Sequence, residues 1–179
     1  MKEKILYIYG YGSNPNDSFT MKELKPVIDE LGYELISIEY DQENPDNGIN
    51  ELEKYIRDNK IKYIIGHSLG GFIALCINEN VKKIVINPCL KPHFELPKIG
   101  DISIKTLYDY EYLESWLLLS AKDTPWISPL YARSFRSVSN SFPNNSLVVS
   151  IDSTIPSSLT TSFLCSVKET PFPNKYVHL

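Results

Sequence analysis

The stretch Gly66-His67-Ser68-Leu69-Gly70 places a serine between two glycines, with Gly71 beyond. "KYII" precedes it and "LGGFIALCI" follows it. A serine becomes a useful nucleophile when a sharp strand-to-helix turn presents its hydroxyl above a sheet edge. The residues two before and two after must then be small, because their side chains would strike the neighbouring strand and helix. The backbone N–H of Leu69 would open the helix and aim at the place where an oxyanion forms. A second donor is expected from the loop after the first strand, "YIYGYGSNP", where the N–H of Tyr11 follows Gly10. His67 is adjacent to the serine, but neighbouring side chains on such a turn diverge. It is expected to support the turn or face solvent rather than act as base.

The elements needed to position these residues are legible around them. "KILYIYG" (4–10), "YELISIEY" (33–40), "KYII" (62–65) and "KKIVINP" (82–88) read as strands. Between them, "SFTMKELKPVIDELG", "INELEKYIRDNK" and "SLGGFIALCINEN" read as helices, the first capped by Asp17 or Ser18 and bent or re-started at Pro26. Met21, Leu24, Val27, Ile28 and Leu31 form its inner face, and Ile49, Leu52, Tyr55 and Ile56 that of the second. "DQENPDNG" and "CLKPHFELPKIGD" read as loops, and "IKTLYDYEYLESWLLL" as a helix with an aromatic face. The alternation implies an α/β fold with a doubly wound, mostly parallel sheet and right-handed crossovers.

The totals fit one domain spanning the 179 residues, with a sizeable core. Hydrophobic residues make up 42%, charged residues 22%, and the net charge is −4. This acidic balance, with no basic run, argues against nucleic acid or an anionic membrane as partner. No stretch approaches the length needed to cross a membrane, and "MKEKILYIYGYG" lacks the pattern of a secretory signal. Cys76, Cys89 and Cys165 form no C-x-x-C pair, which suits reduced thiols in the cytoplasm; Cys76, in an apolar run, reads as a buried structural thiol. Neither a metal nor a cofactor is called for.

Composition changes near residue 115. Residues 1–114 hold 5 serines and 32 charged residues, whereas 115–179 hold 14 serines and 8 charged residues. The last third is expected to be irregular, with strands at "SLVVSID" and, more weakly, "SFLCSV". A shift of reading frame would produce the same change of composition.

"YIYGYGSNP", "IIGHSLGG" and "IVINPCLKP" together resemble the α/β-hydrolase superfamily. Within it they are most similar to the compact bacterial esterases of the YqiA/YcfP type. The likeness runs from about Lys4 to Pro92, continues weakly through "LYDYEYLES", and then stops. Tyr9 departs from the histidine usual in that family. The resemblance implies a minimal α/β-hydrolase fold and a Ser68 nucleophile with Tyr11 and Leu69 as oxyanion donors. It also implies a later aspartate and a histidine near the C-terminus. No "GGNH"-like turn is present. Asp152, ending "SLVVSID", is the best-placed acid, ahead of Asp123, Asp109 and Asp101, and His178 is the remaining base. "SLVVSID" would have to lie parallel to "KKIVINP" for Asp152 to reach the edge that carries Ser68. His93, in the Pro-rich loop, suits a lid or surface role. The implied activity is hydrolysis of small carboxylic esters or thioesters. A catalytically impaired binding protein of the same fold is the alternative, and a flavodoxin-like phosphate binder stands further off.

Overall fold

The computed structural model describes residues 2–120 and 149–151. A sheet of order β2-β1-β3-β4-β5 is built from β1 (Glu3–Ile8), β2 (Tyr33–Ile36), β3 (Tyr63–His67), β4 (Lys82–Ile86) and β5 (Val149–Ile151). The first four strands are parallel: Ile5 lies opposite both Leu35 and Tyr63, and His67 lies opposite Ile86. Residues Ile5, Leu6, Tyr7, Ile8, Ile64, Ile65, Ile84, Val85 and Ile86 are all buried. Their unbroken apolar runs are what strands covered on both faces require.

The helices are α1 (Phe19–Glu30), α2 (Pro45–Asn59), α3 (Leu69–Cys76), α4 (Pro92–Glu95) and α5 (Ile104–Ser120), with a 3-10 turn at Leu96–Lys98. Helices α2, α3 and α5 contact one another, and α1 packs beside β2. The chain moves one way from β1 to β2 and the other way from β2 to β3. Right-handed crossovers therefore put α1 on the face opposite α2 and α3. The strand order reverses between β1 and β3, and ligands of open α/β sheets bind at such a switch point.

Ser18 caps α1 by accepting from the Met21 N–H, and the helix runs through Pro26, which is exposed. Its inner face is narrower than the periodicity implied: Leu24 and Ile28 are buried, while Met21 and Leu31 are partly so. Helix α2 starts inside the stretch that reads as a loop. Asn44 caps it by accepting from the Asn47 N–H, and Pro45 occupies the first turn, where its missing N–H costs nothing. Gly48 sits in that helix because a β-carbon there would collide with the Asp41 carbonyl. The Pro-rich loop after β4 likewise contains α4 and the 3-10 turn, each with a proline near its start.

The expectation of a parallel strand beside β4 is corrected. Strand β5 does lie there, but antiparallel, with Val149 opposite Ile86 and Ile151 opposite Ile84. Side-chain alternation sets which face a strand buries but not its direction. The chain at Ile151 is thus moving away from the sheet's carboxyl edge. Among the described residues, no helix is long and apolar enough to cross a membrane.

Candidate active site at the carboxyl edge

Ser68 joins β3 to α3 with φ 54° and ψ −121°, a conformation that L-residues rarely adopt. Its backbone is tied on every side. The Ser68 N–H donates to the Ile86 carbonyl at 3.1 Å, and the Ser68 carbonyl accepts from the Gly71, Phe72 and Cys89 N–H groups at 3.0, 3.3 and 2.9 Å. This bonding over-determines the turn and so maintains the strain. Ser68 holds the N-cap position of α3, yet its hydroxyl makes no capping bond. It is left for other chemistry.

The flanking glycines follow from contact. A β-carbon at Gly66 would collide with the Gly70 carbonyl and press on Ala74, and one at Gly70 would strike the Ile8 and Tyr9 carbonyls. The start of α3 therefore lies directly against the end of β1. Gly71 packs on Pro88, whose neighbour Asn87 also has a positive φ, 44°. The carboxyl ends of β1, β3 and β4 converge here.

The loop after β1 covers the turn. A β-carbon on Gly10 would stand 3.1 Å from Ser68 Cβ and 3.5 Å from Ser68 Oγ. Among the described residues, neither the Tyr11 N–H nor the Leu69 N–H donates a hydrogen bond. Leu69 is the first residue of α3, where an N–H has no partner inside the helix. The loop is braced from the β2–α2 connection. The Gln42 carboxamide accepts from the Gly12 N–H at 2.9 Å and donates to the Gly10 carbonyl at 3.1 Å. The Tyr11 hydroxyl donates to Glu43 at 2.7 Å; partial burial and that carboxylate push the phenol up to about 12. Tyr9 is buried against the Tyr40 ring at 5.0 Å, and the Tyr40 hydroxyl donates to the Tyr9 carbonyl at 2.7 Å.

The brace is itself held by α5. Tyr110 donates to the Gln42 carbonyl at 2.8 Å and Thr106 to the Glu43 carbonyl at 2.7 Å. The same Tyr110 ring meets Phe72 edge-on at 6.1 Å. Sequence reasoning missed Gln42, Thr106 and Tyr110. The one available signal was that Gln42 follows β2, whose end lies at the same sheet edge as Ser68.

The other candidates divide by position. His67 ends β3, and loss of water around its imidazole lowers its pKa to about 4; it makes no hydrogen bond to Ser68. His93 lies in α4 and clamps it to α5: its Nδ1 is 2.7 Å from Glu114 Oε1, and its N–H donates to the same oxygen at 3.2 Å. Glu114 is buried, and that burial raises its carboxyl pKa. Asp109 pairs with Lys105 at 2.7 Å on α5, and Asp101 is exposed before it. Asp152, His178, Asp123 and Cys165 lie outside the described residues. Burial pushes the Cys76 and Cys89 thiols up to about 12, so neither is a ready nucleophile. Among the described residues, no group of three or more His, Cys, Asp or Glu could hold a metal ion.

A parallel sheet with a strand–serine–helix turn at its switch point is an α/β-hydrolase-like arrangement. Among solved structures, the chain is similar to a protein of Agrobacterium vitis S4 whose hydrolase designation is provisional. That match has 21% identity and a TM-score of 0.46 over 56% of this chain and 48% of the other. It is also similar to the esterase EaEST of Exiguobacterium antarcticum, at 16% identity and a TM-score of 0.43 over 79% and 56% of the two chains. The chain thus spans about half the length of these structures. Comparison with curated proteins gave no significant match. Residues 4–123, two thirds of the chain, match one family: the chain belongs to the Uncharacterised protein family UPF0227.

Proposed function

We propose that the chain is a serine hydrolase that cleaves small carboxylic esters or thioesters through an acyl-enzyme on Ser68. The observation that carries this reading is the uncapped Ser68 hydroxyl on a strained turn, beneath a loop whose Tyr11 N–H has no partner among the described residues. Ser68 Oγ attacks the carbonyl carbon and a base takes its proton. The Tyr11 and Leu69 N–H groups hold the resulting oxyanion. Collapse expels the alcohol or thiol, which receives the proton from the base, and water then releases the acid by the same steps. His178 is the proposed base and Asp152 its acid partner. The chemistry needs no metal or cofactor. The aromatic part of α5 is proposed to wall the acyl pocket.

A second reading has its own support. Strand β5 runs antiparallel and carries Ile151 away from the carboxyl edge, and neither described histidine hydrogen-bonds to Ser68. A hydrolase-like binding protein without a working His/Asp pair fits those facts. Labelling with a fluorophosphonate probe separates the two. Rapid modification of Ser68, lost in Ser68→Ala and strongly slowed in His178→Ala and Asp152→Ala, supports the enzyme. Folded protein that resists the probe supports the binder.

A further inference from the structure

Gln42 bridges the two successive peptides on either side of Tyr11. Its Nε2 donates to the Gly10 carbonyl, and its Oε1 accepts from the Gly12 N–H. Those partners fix the carboxamide's orientation, since a flip would set N–H against N–H and oxygen against oxygen. The Gly10 carbonyl also accepts from the Ser13 N–H at 3.3 Å. In a planar trans peptide the C=O and N–H point in opposite directions. A carbonyl held toward Gln42 therefore turns the Tyr11 N–H away from Gln42, in a loop whose Gly10 meets Ser68. Gly12, at φ +70°, lets the chain turn back to Gln42 at once.

We propose that Gln42 is the positioning residue of the oxyanion hole, locking the Gly10–Tyr11 peptide with its N–H aimed over Ser68. The catalytic consequence rests on the serine hydrolase reading, whereas the peptide's orientation does not. A peptide in this loop has two orientations, and the wrong one would put the Gly10 carbonyl where the oxyanion must form. Tyr110 and Thr106 hold the backbone at residues 42 and 43, so the Gln42 side chain is presented from a fixed base.

Two substitutions test this. Gln42→Glu keeps the shape and the acceptor but loses the donor and sets a carboxylate against the Gly10 carbonyl. Gln42→Ala removes both bonds. Loss of an oxyanion donor costs about 100- to 1,000-fold in kcat. A misoriented donor is expected to cost both variants about 10- to 100-fold in kcat, with KM within about twofold. The deficit of Gln42→Glu relative to wild type should shrink as pH falls and a protonated carboxyl can donate again. Full kcat in Gln42→Glu overturns the proposal, because the side chain would then only fill space. A second measurement needs no turnover. Amide exchange at Gly12, followed by NMR, should accelerate about tenfold or more in Gln42→Ala. An unchanged rate overturns the positioning claim. Resistance of the wild-type protein to the fluorophosphonate, together with this acceleration in Gln42→Ala, overturns the hydrolase reading and retains Gln42 as the lock on this loop.

Discussion

Gly10 and Ser68 meet across the switch point of the sheet, and a β-carbon on Gly10 would stand 3.1 Å from Ser68 Cβ. That is tighter than ordinary van der Waals contact, yet close enough for a few tenths of an ångström of movement to relieve it. Gly10→Ala is expected to fold, at a cost of roughly 1 kcal/mol. The loop after β1 is expected to be displaced, and labelling of Ser68 by a fluorophosphonate to slow about tenfold. A labelling rate equal to wild type would mean that the loop is not part of the site.

The backbone of Ser68 predicts a conflict between stability and activity. At φ 54° and ψ −121° a glycine is unstrained and a serine is not. Ser68→Gly should stabilise the fold by about 1 kcal/mol and raise Tm by about 2–4 °C, while eliminating labelling. Ser68→Ala keeps the strain and should lose labelling without that gain. Equal melting temperatures for the two variants would show that the turn stores no strain.

His93 and Glu114 predict a pH-dependent structural role. Burial raises the Glu114 pKa, and the two hydrogen bonds from His93 partly offset this. In the window just above the ordinary glutamate value of 4.5, the folded state binds more protons than the unfolded state. Stability contributed by Glu114 therefore falls as pH rises through that window. His93→Ala leaves a buried carboxylate short of partners and should cost about 1–3 kcal/mol at neutral pH. The cost should shrink below pH 4.5, where Glu114 is protonated in both states. Ser68 labelling is expected to survive; its loss would place His93 in the chemistry.

His67 has the opposite sign. With its pKa lowered from 6.5 to about 4, the unfolded chain takes a proton that the folded one refuses. Stability is complete above pH 6.5 and is lost as pH falls toward 4, by up to roughly 3 kcal/mol. Chemical denaturation at pH 7 and pH 4.5 should show a smaller difference for His67→Gln than for wild type. An equal difference in both would mean that His67 is freely hydrated.

The parts of this molecule legible in its sequence are those fixed by local rules. Gly66 is required by a collision within the turn itself, Gly70 by the approach of β1 that every such strand-to-helix turn makes, and the apolar runs of β1, β3 and β4 identify buried strands. "ENPDNG" misleads because Asn, Pro and Asp favour both turns and the first turn of a helix; Asn44 and Pro45 use the second option. The direction of β5 leaves no mark on its side-chain pattern. Gln42 is invisible for another reason. Its partners lie about thirty residues upstream and Tyr110 lies 68 residues downstream, and no periodicity records such a meeting.

That last separation has a consequence for how the protein matures. As the chain leaves the ribosome, β1, its loop and the serine turn are all synthesised before α5. The sheet can pair and the turn can form at that stage, but Gln42 has no hydroxyl from Tyr110 to hold its carbonyl. The brace on the loop after β1 thus waits on the most sequence-distant hydrogen bond described here. A nascent or truncated chain ending before Ile104 would lack both hydroxyls that hold the backbone at residues 42 and 43.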